Sequence, residues 1–246
     1  MTAYPRILTA GDSGLVVEFG AEIDPAVNRS VYGFTAAFEE VAVTGVTELV
    51  PTYRSVLIHF DPLQLPPQRL QTEVDSVLAQ LGDAIAGTVR SAPLYRIPVA
   101  YGGEDGPDLE RVAEHAGMDA DRLIEIHSGG AYQVYMLGFL PGFPYLGGMD
   151  QSIACPRLET PRVKVPAGSV GIAESQTGVY PADSPGGWNL IGKTPVPLFD
   201  PAKDPPAAIE PGSFVQFVPT GPDEIGTIRA EISAGGYTIP VAEHST

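Results

Sequence analysis

Three stretches decide the fold of the larger part of this chain. They are G-F-L-P-G-F-P-Y-L-G-G (138–148), P-R-L-E-T-P-R-V-K-V-P-A-G-S-V-G (156–171) and Y-P-A-D-S-P-G-G-W-N-L-I-G-K-T-P (180–195). Glycine lets a backbone take φ > 0 or approach a neighbour closely, whereas proline fixes φ and removes a donor. Their alternation predicts shaped loops rather than regular elements. Around them, residues 134–137, 169–173, 213–219, 227–232 and 237–241 read as short strands. Many short strands joined by Gly/Pro turns describe a barrel or a sandwich. Just upstream, 94–101 reads as a strand, 102–107 as a loop, 108–116 as a short helix closed by Gly117, and Asp119 caps a helix to about 127.

The first third has a different texture. Two apolar runs, 6–10 and 15–19, flank Gly11-Asp12-Ser13-Gly14 in the manner of a hairpin. That tetrapeptide also matches a serine-protease nucleophile signature, but no histidine precedes Ser13 and the turn reading is kept. Asp24-Pro25 opens a helix whose Val27, Val31, Phe34, Phe38 and Val41 share one face. Strands at 46–50 and 53–60 follow, then a helix at 67–81 with Leu70, Val74, Val77, Leu78 and Leu81 inward. The order β-β-α-β-β-α predicts an α+β sandwich with two helices on one face of a sheet. The texture changes at 88–93, so the expected domains are 1–90 and 91–246.

Charge narrows the choice of partner. The 246 residues carry 14 Lys+Arg against 30 Asp+Glu, a net charge of −16. Residues 138–200 hold four cations, Arg157, Arg162, Lys164 and Lys193, against five acids, so nearly all the excess lies elsewhere. Nucleic acid and anionic membrane are poor partners for such a chain. A small carboxylate or phosphate suits the locally neutral region; the alternative is that these cations merely pair with Glu159 and Asp183 at the surface. Cys155 is the single cysteine, which leaves no internal disulfide and fits a reducing cytoplasm. The opening M-T-A-Y-P-R-I lacks the layout of a signal peptide. Residues 128–149 hold no charge, yet their glycines and prolines forbid a membrane helix. The expectation is a soluble, cytoplasmic protein.

Specific chemistry is sparse. No G-x-x-x-x-G-K-[ST], H-E-x-x-H or helix-opening G-x-G-x-x-G occurs, and His59, His115, His127 and His244 show no ligand spacing, so no metal site is expected. His127 beside Ser128-Gly129-Gly130 is a candidate for proton transfer at a pocket edge, or else caps a helix C-terminus. In Ser184-Pro185-Gly186-Gly187-Trp188, backbone N–H groups can form an anion nest with Trp188 as a wall; a tight turn over a buried Trp is the alternative. Pro166-Ala167-Gly168-Ser169 has similar chemistry, so Gly168, Ser169, Ser184, Gly186, Gly187 and Trp188 are expected to line one pocket. Its oxyanion donors would be the N–H groups of Gly168, Gly186 and Gly187. Phe139, Pro141, Phe143, Tyr145 and Leu146 form an apolar group read as a groove or partner interface, or as a buried barrel corner.

Four segments, Y-G-G-E-D-G-P-D-L-E-R-V-A (101–113), Y-M-L-G-F-L-P-G-F-P-Y-L-G (135–147), P-R-V-K-V-P-A-G-S-V-G-I-A (161–173) and Y-P-A-D-S-P-G-G-W-N-L-I-G-K-T-P-V-P-L-F-D (180–200), resemble the Kip-inhibitor family. That family includes B subunits of prokaryotic ATP-dependent 5-oxoprolinase, proteins called allophanate hydrolase subunit 1, and part of the urea carboxylase carboxyltransferase domain. The resemblance implies an α+β N-terminal sandwich domain followed by a cyclophilin-like β-barrel domain. It implies a hydrolase subunit that needs a homologous C subunit and a separate A subunit, with ATP and Mg used at the level of the complex; no biotin attachment is seen in this chain. A histidine-kinase-docking module and a urea- or allophanate-metabolising subunit are the alternatives within the family. Where relatives commonly carry arginine this chain has Lys193, which keeps the charge and loses the bidentate fork.

Overall fold

Asp24 starts the first long helix by accepting from the N–H groups of Ala26 and Val27 at 2.7 and 3.2 Å. These donors have no partner within the helix. The computed structural model describes residues 4–82 and 91–245. In it the chain forms two compact units, Met1–Arg90 and Ser91–Thr246. Of the change expected at 88–93, the first three residues lie outside the described ones.

The first unit runs β1 (Arg6–Thr9), β2 (Gly14–Glu18), α1 (Pro25–Val41), β3 (Val46–Pro51), β4 (Ser55–Phe60) and α2 (Pro67–Leu81). Its strands pair antiparallel in the order β1-β2-β4-β3. Val31, Phe34 and Phe38 of α1 and Leu70, Val74 and Val77 of α2 pack with Leu15, Val17, Val56 and Ile58 of the sheet. Each buried side chain of this size contributes about 1.5–3 kcal/mol relative to exposure. Val41 departs from the expected face and is exposed, because α1 ends there and Ala42 turns left-handed at φ 49°.

The second unit runs β5 (Ser91–Tyr101), α3 (Leu109–Ala116), α4 (Ala120–Gly129), β6 (Tyr132–Leu137), β7 (Pro144–Gly147), β8 (Arg162–Val165), β9 (Ser169–Ala173), β10 (Gln176–Val179), β11 (Ser184–Gly186), β12 (Asn189–Lys193), β13 (Phe214–Pro219), α5 (Pro222–Ser233) and β14 (Val241–Ser245). The main sheet is ordered β10-β9-β12-β5-β13-β6-β7, with β14 also on β5. Long β5 organises it: β13 runs parallel along Leu94–Val99, β14 covers Ser91–Tyr95, and β12 joins at Ala100 and Tyr101. The sheet curls until its two ends meet, so that a Cβ on Gly178 of β10 would sit 3.5 Å from the Pro144 carbonyl of β7. This is the barrel-like domain expected from the sequence. β8 and β11 form a separate two-stranded ribbon. Among the described residues no helix is long and apolar enough to cross a membrane.

Three sequence expectations are corrected here. Residues 227–232 are not a strand but lie inside α5, where Pro222 occupies the first turn, Asp223 and Glu224 face the open N–H groups, and Ile225 and Ile228 are buried at helical spacing. The last strand begins at Val241 rather than covering 237–241. The Gly/Pro-rich stretches are not loops throughout, since they contain β7, β8, β11 and β12. Strands of three to five residues paired with distant partners leave little alternation to read.

His127 joins these layers. Its ring is wholly buried, stacked on Phe217 with centroids 4.7 Å apart. Nε2 lies 2.8 Å from Thr177 Oγ1, and that hydroxyl lies 3.1 Å from the Gly171 carbonyl, its acceptor. Thr177 therefore accepts from Nε2–H, which leaves Nδ1 to accept from the Tyr101 hydroxyl at 2.7 Å. The Tyr132 hydroxyl donates to the His127 carbonyl at 2.6 Å. This position corrects both expectations for His127: the ring is neither at a pocket edge nor engaged with helix-terminal carbonyls.

Burial pushes His127 down from its ordinary 6.5 to about 3. The unfolded chain takes a proton near pH 6.5 that the folded chain refuses, so stability is full above 6.5 and is lost as pH falls toward 3. By pH 5 the loss is about 2 kcal/mol. Denaturant unfolding at pH 7.5 and pH 5.0 measures it, and His127→Gln is expected to flatten that part of the profile. An unchanged profile in the variant would assign the ionisation to another group.

Candidate functional site

The ribbon of β8 and β11 brings the sequence motifs together. Ser184 pairs with Val165 and Gly186 with Arg162, with a bulge between them. The turn after β8 is tied to the turn before β11, because Asp183 accepts from the Ala167 N–H at 2.8 Å and pairs with Lys164 at 2.7 Å. Lys164 holds the Asp183 carboxyl below its usual range, helped by the Ala167 N–H. Lys193 adds a smaller effect in the same direction.

Beneath the ribbon lies an aromatic cluster. Phe143, Val165, Tyr180 and Leu190 are buried together, with Leu140, Tyr145 and Trp188 packed against them. Phe143 makes edge contacts with Phe139, Tyr145, Tyr180 and Trp188 at 5.4–5.8 Å between centroids. Such pairs add about 0.5–1.5 kcal/mol beyond area burial. The expected apolar group thus divides. Phe143 is a core residue of this cluster and Leu146 belongs to the main barrel core, while Phe139 and Pro141 are exposed and Tyr145 half-buried. Phe139 is 68% exposed and holds a left-handed backbone at φ 63°, a conformation that a bulky side chain adopts at a cost.

Of the four cations, Arg162 and Lys164 are held by acids, whereas exposed Arg157 and half-buried Lys193 have no ion pair among the described residues. Arg162 donates to Asp108 at 2.8 Å and to the Trp188 carbonyl at 3.3 Å. Asp108 also accepts from the Leu190 N–H at 2.7 Å, so this pair fixes the segment around Trp188. Lys164 is held by Asp183. Arg157 is exposed and has no ion pair among the described residues; the neighbouring Leu158 N–H donates to the Gly187 carbonyl at 2.8 Å, which sets Arg157 against the turn before Trp188. Burial pushes the Tyr180 phenol up, and Arg157, a hydrogen bond from the Trp188 backbone and Arg162 pull the other way.

The proposed oxyanion donors need revision. The Gly168 N–H is engaged with the Tyr180 carbonyl at 2.7 Å. Gly168 is glycine because φ is +81° and a Cβ would lie 2.3 Å from the Thr194 carbonyl. Gly186 is likewise tight, with a Cβ position 2.5 Å from the Tyr180 hydroxyl. Gly187 has no left-handed φ and no neighbour closer than 3.7 Å to a Cβ, so it is not the constrained glycine of the pair. Ser169 is buried in β9. Ser184 is buried too, and its Oγ has no hydrogen-bond partner among the described residues.

Sequence reading passed over Tyr180, Asp108, Arg111 and Asn189. Asn189 is wholly buried, donates to the Pro156 and Ile172 carbonyls at 2.9 and 3.1 Å, and accepts from Arg111. Each of these residues stands in one of the four motif segments, which was the available signal. Cys155 is buried beside this network, and burial pushes its thiol up, as suits a packing residue.

The family description "Carboxyltransferase domain, subdomain C and D" matches residues 5–209. The B subunit of 5-oxoprolinase from Bacillus subtilis (strain 168) is 44% identical over 225 residues, covering 89% of this chain and 94% of that one. The crystal structure of a conserved uncharacterized protein from Pyrococcus horikoshii is 48% identical with a TM-score of 0.53, over 89% of this chain and all of that one. The Kluyveromyces lactis urea amidolyase shares the fold at 22% identity and a TM-score of 0.77, over 97% of this chain and 16% of that one. On these likenesses, this chain belongs to the family of carboxyltransferase domains, subdomains C and D, alongside the B subunits of 5-oxoprolinase.

Proposed function

We propose that this chain is the B subunit of an ATP-dependent 5-oxoprolinase. With a homologous C subunit and a separate A subunit it opens the lactam of 5-oxoproline to glutamate. The observation that carries this reading is the 44% identity to a protein named as the B subunit of 5-oxoprolinase, along nearly the full length of both chains. The urea amidolyases are more distant, at 22% identity, and match this chain over only 14% of their length.

The residues of the site support a division of labour. A triphosphate cradle needs several uncommitted cations and backbone donors. Here Arg162 and Lys164 are paired, and the Gly168 N–H is engaged, so these residues do not fit ATP. We assign ATP and Mg to the complex as a whole. This chain contributes an aromatic wall with a cation beside it, a surface suited to a compact organic acid.

The test is 5-oxoproline-dependent ATP hydrolysis by the co-purified complex, with allophanate and urea as competing substrates. Turnover with 5-oxoproline alone among the three is the expected result, with none from this chain by itself. Preference for urea or allophanate would overturn the assignment.

Phe139 gives a second expectation. An exposed aromatic held in a strained left-handed backbone suits a contact with a partner subunit. Phe139→Gly relieves roughly 1 kcal/mol of backbone strain and removes the exposed ring. The chain alone is expected to melt at the same temperature or higher, while its affinity for the partner subunit falls roughly tenfold. Unchanged affinity in a titration of the two purified subunits would remove Phe139 from the interface.

A further inference from the structure

Two observations at the aromatic cluster are independent of each other and meet at one place. The first is Ser184. It is 8% exposed, and its Oγ has no hydrogen-bond partner among the described residues. Its strand partner is Val165, a member of the Phe143–Tyr180–Leu190 cluster, and two residues along the same strand a Cβ on Gly186 would point at the Tyr180 hydroxyl. Residues directly opposite in a ladder share a face, so the Ser184 side chain lies on the side of Val165 and the cluster. A buried hydroxyl without a partner is uncommon in a folded protein and calls for a group to complete it. The second is Arg157, an exposed guanidinium without an acidic partner among the described residues, next to the turn that carries Trp188.

We propose that Trp188, Tyr180, Ser184 and Arg157 form the substrate-recognition site of this chain, for a small cyclic amide bearing a single carboxylate. Arg157 pairs with the carboxylate, Trp188 covers the apolar face of the ring, and the Ser184 hydroxyl hydrogen-bonds the ring amide, to which it can donate or from which it can accept. The Arg157 guanidinium beside the aromatic wall matches the single negative charge of a carboxylate. The Ser184 hydroxyl is sealed in the free protein, so binding requires a local opening of the cluster. This inference rests on the reading of the chain as a 5-oxoprolinase component, and it adds which chain of the complex reads the carboxylate and with which residues.

The experiment is calorimetric titration of the co-purified complex with 5-oxoproline and with 2-pyrrolidone, the same ring without its carboxylate. Arg157→Ala is expected to weaken 5-oxoproline roughly ten- to a hundredfold and to leave 2-pyrrolidone within about twofold of wild type. Ser184→Ala is expected to weaken both ligands roughly three- to tenfold without lowering the melting temperature, since an apolar side chain there leaves no orphaned group. A wild-type complex that binds 5-oxoproline while Arg157→Ala binds it equally well overturns the site and leaves the functional reading standing. So does an Arg157→Ala loss that is the same for both ligands, or a destabilised Ser184→Ala chain. A wild-type complex that neither binds nor turns over 5-oxoproline overturns both.

Discussion

The neutral imidazole of His127 is the constraint on which the second unit depends. Its two nitrogens and its carbonyl reach Tyr101 on β5, Thr177 on β10 and Tyr132 on β6, and its face lies on Phe217 of β13. The direction of every bond is forced once Thr177 donates to Gly171. A protonated ring would turn Nδ1 into a donor facing a hydroxyl that already donates to it, at a position wholly buried in the core. The barrel thus closes around α4 through polar groups that are all satisfied, which specifies one arrangement more sharply than apolar contacts alone.

That same node explains where sequence reasoning stopped. The helices of the first unit were legible because Asp24, Pro25 and the spacing of Val31, Phe34 and Phe38 are local signals. The inward face of α2 was readable from Leu70, Val74 and Val77 in the same way. His127 carried only the local signal of a histidine near a Gly-rich helix end. Its partners lie 26 and 50 residues away, and nothing in the spacing of Tyr101 and Thr177 announces them. Residues 227–232 differ from the expected strand because Pro222, Asp223 and Glu224 just before them carry a helix-start signal.

The site was legible as a set of motifs and not as a geometry. Proline and glycine marked 138–148, 156–171 and 180–195 as shaped segments, and the structure does bring parts of all three to one aromatic cluster. Which glycine is constrained depends on what stands opposite it, the Thr194 carbonyl for Gly168 and the Tyr180 hydroxyl for Gly186. That information is tertiary. So is the sorting of cations, since the acid that engages Arg162 is Asp108, 54 residues earlier.

This sorting matters more than the number of positive charges. On a chain of net charge −16, a cation already balanced by a fixed carboxylate presents little field to a ligand and acts mainly as a strut. Arg162 is a strut of this kind, holding Asp108 against the Trp188–Leu190 backbone. Lys164 is another, closing the turn at Asp183 and Ala167. By fixing the two loops they hold the aromatic wall in one shape, and Arg157 and Lys193 are left without an ion pair among the described residues. In the proposed recognition site the aromatics would read shape and Arg157 charge, so losing a strut would blur the wall, whereas losing Arg157 would change which ligands it accepts.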